Sequence, residues 1–187
     1  MAKFILGKKI GMTTIHTEKQ EALNVTLVEC GVNTVSLVRT KEKDNYPAVQ
    51  IEMPKTKNKT VKKEFRIEGT DLKVNDKISA DIFEIGDVVQ VSGITKAKGF
   101  QGVVKRHGFK GAPKSHGHKH DLRAPGSIGS GFPEHVVKGR RMAGRTGGVR
   151  ATSQNVKVIY VNKEKNLLGL KGPVPGISGA VIEIYIK

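Results

Sequence analysis

Short runs of apolar and β-branched residues, separated by turns that contain glycine or proline, recur along most of the chain. In one of these runs, residues 46–52, apolar and polar positions alternate at the end, as is typical of a half-buried strand. No helical periodicity is sustained over three turns in residues 1–95. The pattern predicts a mainly β protein, a small antiparallel barrel or a sandwich. Strand signals lie at 23–29, 85–92, 156–161 and 180–186.

Two of the weaker β signals predict specific local geometry. Residues 4–6 are apolar and are followed at 7–13 by a glycine-containing segment, where we expect a turn or a bulge. The runs at 23–29 and 34–39 have a hairpin-like separation, so we expect them to pair with each other. Further short strands are expected at 46–52, 65–68, 77–83 and 167–171.

Residues 55–63 (KTKNKTVKK) hold five lysines and no acidic residue. A charge run of this kind is usually a solvated loop, and we favour that interpretation. The alternative is a second patch of the protein that contacts phosphate groups.

The strand pattern is interrupted by one long stretch, residues 96–150, which has no long apolar run. It carries thirteen Lys and Arg against two acidic residues, a formal charge of +11 out of the chain's +16. It also holds twelve of the 22 glycines and five of the six histidines. Such a segment buries too little apolar surface to offset the entropy of ordering itself. We therefore expect a basic, glycine-rich extended arm, inserted into a β body formed by residues 1–95 and 151–187 and ordered by an anionic partner.

Composition restricts what that partner can be. A pI near 10.0 favours nucleic acid first and an anionic membrane surface second. The single cysteine, Cys30, excludes an internal disulfide and lies in an apolar run, so we expect a small core residue rather than a reactive thiol. No signal-peptide pattern and no membrane-spanning run is present, so we expect a soluble, intracellular protein.

The arm has the composition of an RNA-binding segment. Its cations are distributed along the whole stretch, which suits contact with a phosphate backbone. Phe100, Phe109 and Phe132 are interleaved with them and could stack on unpaired bases. The densest cationic point is at 138–141 (KGRR), where arginine forks suit phosphate groups. The alternative is a disordered basic linker, which the aromatic, apolar and proline residues argue against.

Metal binding and catalysis are the weaker alternatives. His116, His118 and His120 alternate and could share one face towards a transition metal, but no cysteine is near and neighbouring lysines repel a cation. The histidines are explained more simply by RNA contact. The chain has no nucleophile elbow and no phosphate-binding loop of the Walker type, so an enzyme is not expected. A metal-dependent enzyme built on these histidines and a free RNA chaperone remain the rival functions.

Several motifs resemble those of the universal L-three family of large-subunit ribosomal proteins, in its bacterial form. The resemblance covers nearly the whole chain, and the motifs occur in the family's order. They are residues 6–13 (LGKKIGMT), 91–106 (VSGITKAKGFQGVVKR), 123–129 (RAPGSIG), 138–144 (KGRRMAG) and 166–176 (NLLGLKGPVPG).

The resemblance implies a closed antiparallel β-barrel of the translation-factor kind, with a smaller irregular part. It implies that the protein binds large-subunit ribosomal RNA near the RNA's 3′ end, and that the arm threads into this RNA with its tip towards the peptidyl transferase centre. The role would be structural and active early in subunit assembly, with neighbouring ribosomal proteins as further partners. No cofactor, bound metal, membrane contact or small-molecule substrate is expected, and the protein would be cytoplasmic, in the ribosome.

The arm divides into a cationic shaft, 96–123 and 138–150, and a less charged tip, 124–137. The strongest candidates for phosphate contact are arginines and one lysine: Arg106, Arg123, Lys138, Arg140, Arg141 and Arg145. The other residues expected to contact RNA are Lys8, Lys9, Lys96, Lys98, Lys105, His107, Phe109, Lys110, Lys114, His116, His118, Lys119, His120, Phe132, His135 and Arg150.

Overall fold

A computed structural model of the chain describes residues 3–16, 21–56, 58–67 and 72–186. Its regular structure consists mainly of strands, which confirms the prediction of a mainly β protein. The chain divides into two compact units. The first, the β unit, runs up to Thr95 and resumes at Arg150; the second, the basic unit, is Lys96–Val149.

The elements follow one another in this order: β1 Phe4–His16, β2 Ala22–Glu29, β3 Asn33–Arg39, α1 Lys41–Asp44, β4 Ala48–Thr56, β5 Lys59–Phe65, β6 Lys77–Ile78, a 3-10 turn Ala80–Ile82, β7 Val88–Ile94, β8 Phe100–Gln101, α2 Val103–His107, β9 Gly144–Arg145, β10 Arg150–Asn162, β11 Leu167–Lys171 and β12 Val181–Tyr185.

Six strands of the β unit form a closed barrel in the order β1-β12-β7-β10-β11-β2, and each neighbouring pair is antiparallel. Alternate side chains of these strands point inward because successive residues of a strand face opposite sides. Ile5, Val91, Leu168 and Ile184 are fully buried. Each such side chain contributes roughly 1.5–3 kcal/mol through its removal from water, so this core stabilises the β unit.

The first strand is longer than its sequence suggests. β1 continues through the glycine-containing segment, so the turn considered there is wrong, whereas the bulge is confirmed by a register shift between Lys9 and Gly11. At Gly7 an added Cβ would lie 2.3 Å from Cγ1 of Val28 on β2. A side chain at this position would therefore push the two strands apart.

The predicted hairpin of 23–29 with 34–39 is wrong in its pairing, although both strands exist. β2 lies in the barrel, whereas β3 lies in a separate four-stranded sheet of order β5-β4-β3-β6. Asn33, at the start of β3, is fully buried and hydrogen-bonds the backbone of Leu6 on β1. The chain between β2 and β3 therefore passes from one sheet to the other instead of turning back on itself.

The solvated loop predicted for residues 55–63 is also wrong for most of its length. Residues from Lys59 onward form β5, which pairs with β4 as a hairpin at the edge of the second sheet. Lys62 and Lys63 belong to ion pairs, with Glu52 and Glu183 respectively, each at 3.2 Å. Cross-strand and inter-sheet carboxylates thus make a lysine-rich segment compatible with a strand.

The remaining strand predictions are confirmed with shifted bounds. β11 occupies the predicted residues, and β7, β10 and β12 each overlap their predicted runs. The strand expected at 77–83 is reduced to β6 followed by the 3-10 turn. Of the strand expected at 65–68, residue 65 ends β5 and residue 68 lies outside the described residues. No helix within the described ranges is long and apolar enough to cross a bilayer.

Candidate nucleic-acid interface

The basic unit concentrates positive charge on its surface. Residues 96–149 contain twelve Lys and Arg and two acids, Asp121 and Glu134, and all twelve cationic residues are exposed. Among the described residues, no acidic group lies within salt-bridge distance of any of the twelve. The charge of this unit is therefore unneutralised within the described part of the chain.

A short two-stranded ribbon joins the two ends of the basic unit. β8 and β9 pair through Phe100 with Arg145 and Gln101 with Gly144. Two backbone hydrogen bonds extend the ribbon: the N–H of Lys98 donates to Thr146 O at 2.9 Å, and the N–H of Thr146 donates to Gly99 O at 2.9 Å. The candidate residues Lys96, Lys98 and Arg145 therefore project from an ordered base.

The carbonyl oxygen of Met142 links helix α2 to the segment that precedes β9. Arg106 Nη1 donates to Met142 O at 2.8 Å, and His107 Nε2 lies 3.1 Å from the same atom, where its N–H can donate. The helix ends at Gly108, whose φ is 73° and whose N–H donates to Val104 O at 3.0 Å. Arg106 and His107 thus have a structural task besides any contact with RNA.

Phe109 stands at the boundary of two clefts. Its ring is 6.0 Å from that of His107, with an interplanar angle of 44°, and the residue is half-buried. One cleft, of about 530 Å³, is lined by Phe109 and residues 137–141. The other, of about 560 Å³, is lined by Phe109 together with Lys110, Gly111, Ala112, His118, Asp121, Ala124, Pro125 and Gly126.

The predicted tip is held to the shaft by a hydrogen bond from Arg140 Nη2 to Ser127 O at 2.5 Å. Phe132 is 84% exposed there, and His135 Nδ1 lies 2.8 Å from Pro133 O. These two candidate side chains are therefore open to solvent and are not brought together with Phe109.

The other candidates in this unit are exposed and dispersed. His116, His118 and His120 do not converge: among the described residues, no group of three or more His, Cys, Asp or Glu is placed to hold a metal ion. The geometry therefore gives the metal hypothesis no support. The exposed cations outside the ribbon and α2 are Lys110, Lys114, Lys119, Arg123, Lys138, Arg140 and Arg141, and Lys105 is exposed on α2.

Three candidate residues lie in the β unit, and two of them have partners within it. Lys9 Nζ donates to Val174 O at 2.9 Å and to Gly176 O at 3.1 Å. Arg150 pairs with Glu183, and this hydrogen bond raises the pKa of the Arg150 guanidinium. Lys8 is exposed on β1. Lys9 and Arg150 therefore serve the β unit itself.

Sequence reasoning did not identify the groups that hold the candidate residues in place. The Met142 carbonyl has no sequence signature, because every residue carries one. Glu183 is separated from Arg150 by 33 positions, so no local pattern could have paired them. For α2, a local signal did exist: Gly102 and Gly108 flank the five helical residues, and a glycine just after a helix is a common stop.

Comparison with known proteins places the chain in one family. The family model described as ribosomal protein L3 matches residues 7–171. The chain is 45% identical over 201 aligned positions to the large ribosomal subunit protein uL3 of Chloroherpeton thalassium, covering 96% of this chain and 97% of that one. It is 44% identical over 203 positions to the protein of the same name from Streptococcus mutans, covering 98% and 96%. This chain belongs to the ribosomal protein L3 family.

Proposed function

We propose that this protein is a structural constituent of the large ribosomal subunit and binds the RNA of that subunit through its basic unit. The observation that carries the proposal is the set of twelve exposed cations without an acidic partner among the described residues. Unneutralised cations bind a phosphate backbone because each contact releases a condensed counterion. In this proposal, the barrel is of the translation-factor kind, and the protein binds near the 3′ end of the RNA. Residues 96–150 act as an arm that enters the RNA and points its tip towards the peptidyl transferase centre.

The candidate residues differ in whether their charged groups already form hydrogen bonds or salt bridges within the protein. Lys105, Lys110, Lys138 and Arg141 are exposed, and among the described residues their charged groups form no hydrogen bond or salt bridge, so we propose them as phosphate contacts. We propose the same role for six further cations: Lys96, Lys98, Lys114, Lys119, Arg123 and Arg145. Arg106 and Arg140 are also proposed as phosphate contacts, through the guanidinium nitrogens that do not bond to Met142 O or Ser127 O. Phe109, Phe132 and the histidines His107, His116, His118, His120 and His135 are proposed for stacking or groove contacts, and Lys8 for a contact from β1. Lys9 and Arg150 are the weakest candidates, because the β unit already engages their charges.

Membership of a family of ribosomal proteins makes the role structural and not catalytic. Further partners in the proposal are neighbouring proteins of the large subunit. The rival function of a free RNA chaperone is decided by sedimentation of cell extract in high salt, where a ribosomal constituent stays with the large subunit and a free chaperone does not. An early role in subunit assembly would place the protein in precursor particles as well as in finished subunits.

The RNA-binding part of the proposal is tested by measuring affinity for large-subunit RNA across a salt series. A variant with Lys105, Lys110, Lys138 and Arg141 changed to Gln should reduce the slope of log affinity against log salt by roughly 0.7–0.9 per lost contact, or roughly 3 in total. The matched control changes Lys157, Lys163, Lys165 and Lys171 of the β unit to Gln, with the same loss of charge from exposed positions. An equal reduction in the control, or an unchanged slope in the first variant, would contradict the proposal.

A further inference from the structure

We propose that the cleft between Phe109 and residues 137–141 is a subsite for one unpaired nucleotide of the bound RNA. The base lies against the ring of Phe109, and the phosphate faces Lys138 and Arg141. The inference rests on the proposed function and adds to it the class of RNA element that is recognised, a nucleotide outside a duplex. Cations alone would bind any part of an RNA backbone and would not require such a nucleotide.

The cleft has the size and openness that this ligand needs. Its volume is about 530 Å³, which falls within the range of roughly 300–1,000 Å³ of small-molecule sites. It is open to solvent and not enclosed, so a strand can enter it and leave it on either side of the inserted nucleotide. A closed cavity would admit a free nucleotide but not one that is linked to its neighbours.

The ring of Phe109 is held in place before any ligand arrives. The residue is half-buried, and its ring contacts that of His107, which is itself placed by the Met142 carbonyl. Phe100 and Phe132 differ, because they are 75% and 84% exposed. A fixed ring loses less conformational freedom when a base stacks on it, and stacking contributes roughly 1–3 kcal/mol per base.

The same cleft carries a dense row of cations. Lys138, Arg140 and Arg141 all line it, and the N–H of Arg140 donates to Val137 O at 3.2 Å in a tight turn. Arg140 is anchored to Ser127 O, whereas no acidic group among the described residues lies within salt-bridge distance of Lys138 or Arg141. An apolar aromatic face beside unneutralised cations matches a nucleotide, which joins a flat base to a phosphate.

The second cleft at Phe109 is a poorer match for the same ligand. Its lining includes Asp121, one of the two acidic residues of the basic unit. A carboxylate repels a phosphate group, so charge complementarity favours the cleft of residues 137–141.

The test compares the full-length protein with Phe109→Leu in binding to large-subunit RNA. Leu keeps an apolar side chain beside His107 but removes the aromatic face. We expect affinity to fall roughly fivefold or more, since stacking is lost, with an unchanged salt slope because no charge is removed. Base-specific chemical probing should show one or two unpaired nucleotides that the wild type protects and that become reactive in the variant.

Two further variants make the result specific. Phe109→Tyr keeps the ring and should restore both affinity and protection of the same nucleotides. Phe100→Leu, at a phenylalanine that lines neither cleft, should leave the nucleotides assigned to the cleft protected. Protection of the same nucleotides by Phe109→Leu, or failure of Phe109→Tyr to restore it, would overturn the subsite. If the wild type itself bound this RNA without salt dependence, the proposed function would fail instead.

Discussion

The position of Gly147 is fixed by the carbonyl oxygen of Lys96: a Cβ at residue 147 would lie 2.0 Å from that atom. The glycine has a φ of 72°, a backbone conformation that other residues adopt only with strain. Both features act where the two ends of the basic unit come together, next to the hydrogen bonds between Lys98 and Thr146 and between Thr146 and Gly99. The close approach of the two ends of the basic unit therefore depends on the absence of a side chain at residue 147.

Gly147→Ala should loosen this ribbon by about 1–3 kcal/mol, because the methyl group clashes with a carbonyl and the backbone is strained. Native-state hydrogen exchange should then become faster at the amides of Lys98 and Thr146. The matched control is Gly129→Ala, where no atom lies within 4 Å of the new Cβ and φ is not positive. Equal exchange rates in the two variants would refute the structural role of Gly147.

Asn33→Leu should destabilise the β unit by about 1–3 kcal/mol for each backbone group that it leaves without a partner. The Asn33 side chain donates to Leu6 O at 3.0 Å and to Gly31 O at 2.8 Å, and it accepts from the N–H of Leu6 at 3.3 Å. The pairing of β1 with β2 does not extend past Lys8 to Leu6. The Asn33 side chain therefore satisfies the backbone groups of Leu6 that a neighbouring strand would otherwise satisfy. Urea unfolding measures the loss.

The control for Asn33 is Gln154→Leu, which makes the same kind of change on an exposed position of β10. A surface change of this type is expected to alter stability by no more than about 0.5 kcal/mol. If both variants had the same urea midpoint, the buried amide of Asn33 would not stabilise the fold.

Asp87 should give the β unit a pH-dependent stability. Hydrogen bonds from the backbone N–H of Glu84 at 3.0 Å and from Lys3 Nζ at 2.9 Å hold the pKa of its carboxyl below the usual value. A carboxyl with a lowered folded pKa contributes stability that is complete above its unfolded pKa and is lost as pH falls through the folded pKa. The difference in urea midpoint between the wild type and Asp87→Asn should therefore be largest near pH 7 and shrink below about pH 4. A difference that stays constant from pH 7 to pH 3 would contradict this account.

Cys30 should be unreactive in the folded protein. Burial, with a smaller effect from the charge of Glu29, raises the pKa of the Cys30 thiol to about 12, and the residue is fully buried. Because the thiolate is the nucleophile, a thiol-specific reagent at pH 8 should label no cysteine in the native state and one in denaturant. Rapid native labelling would show that the residue is accessible, contrary to its place in the core.

Sequence patterns predicted the strands of this protein better than their partners. The short apolar run at β11 predicted its residues, because the burial of apolar side chains in a strand leaves a local signal in the sequence. The pairing of β2 with β1 and β11, and not with β3, depends on contacts between distant segments and on the buried Asn33. A spacing rule for hairpins contains none of that information.

The candidate interface shows the same division between local and distant information. Exposure of its cations follows from residue type, because Lys and Arg are almost never fully buried without a partner. Residue type does not reveal which cations have partners within the protein. Lys9 donates hydrogen bonds to the carbonyl oxygens of Val174 and Gly176, and Arg150 pairs with Glu183. The orientation of Phe109 likewise depends on His107 and Met142, whose relation appears only in three dimensions.

In the part of the chain that the structure describes, the cations of the basic unit have no acidic partners, and this has a consequence for the protein before it meets its RNA. Twelve unneutralised cations attract any polyanion in the cell, because attraction between charges does not depend on nucleotide sequence. Discrimination between the correct RNA and the many competing ones must then come from contacts that carry no charge. A mutation at such a contact would send the protein to wrong partners while leaving its overall affinity for RNA high, so its effect would be seen as misplaced protein and not as weak binding.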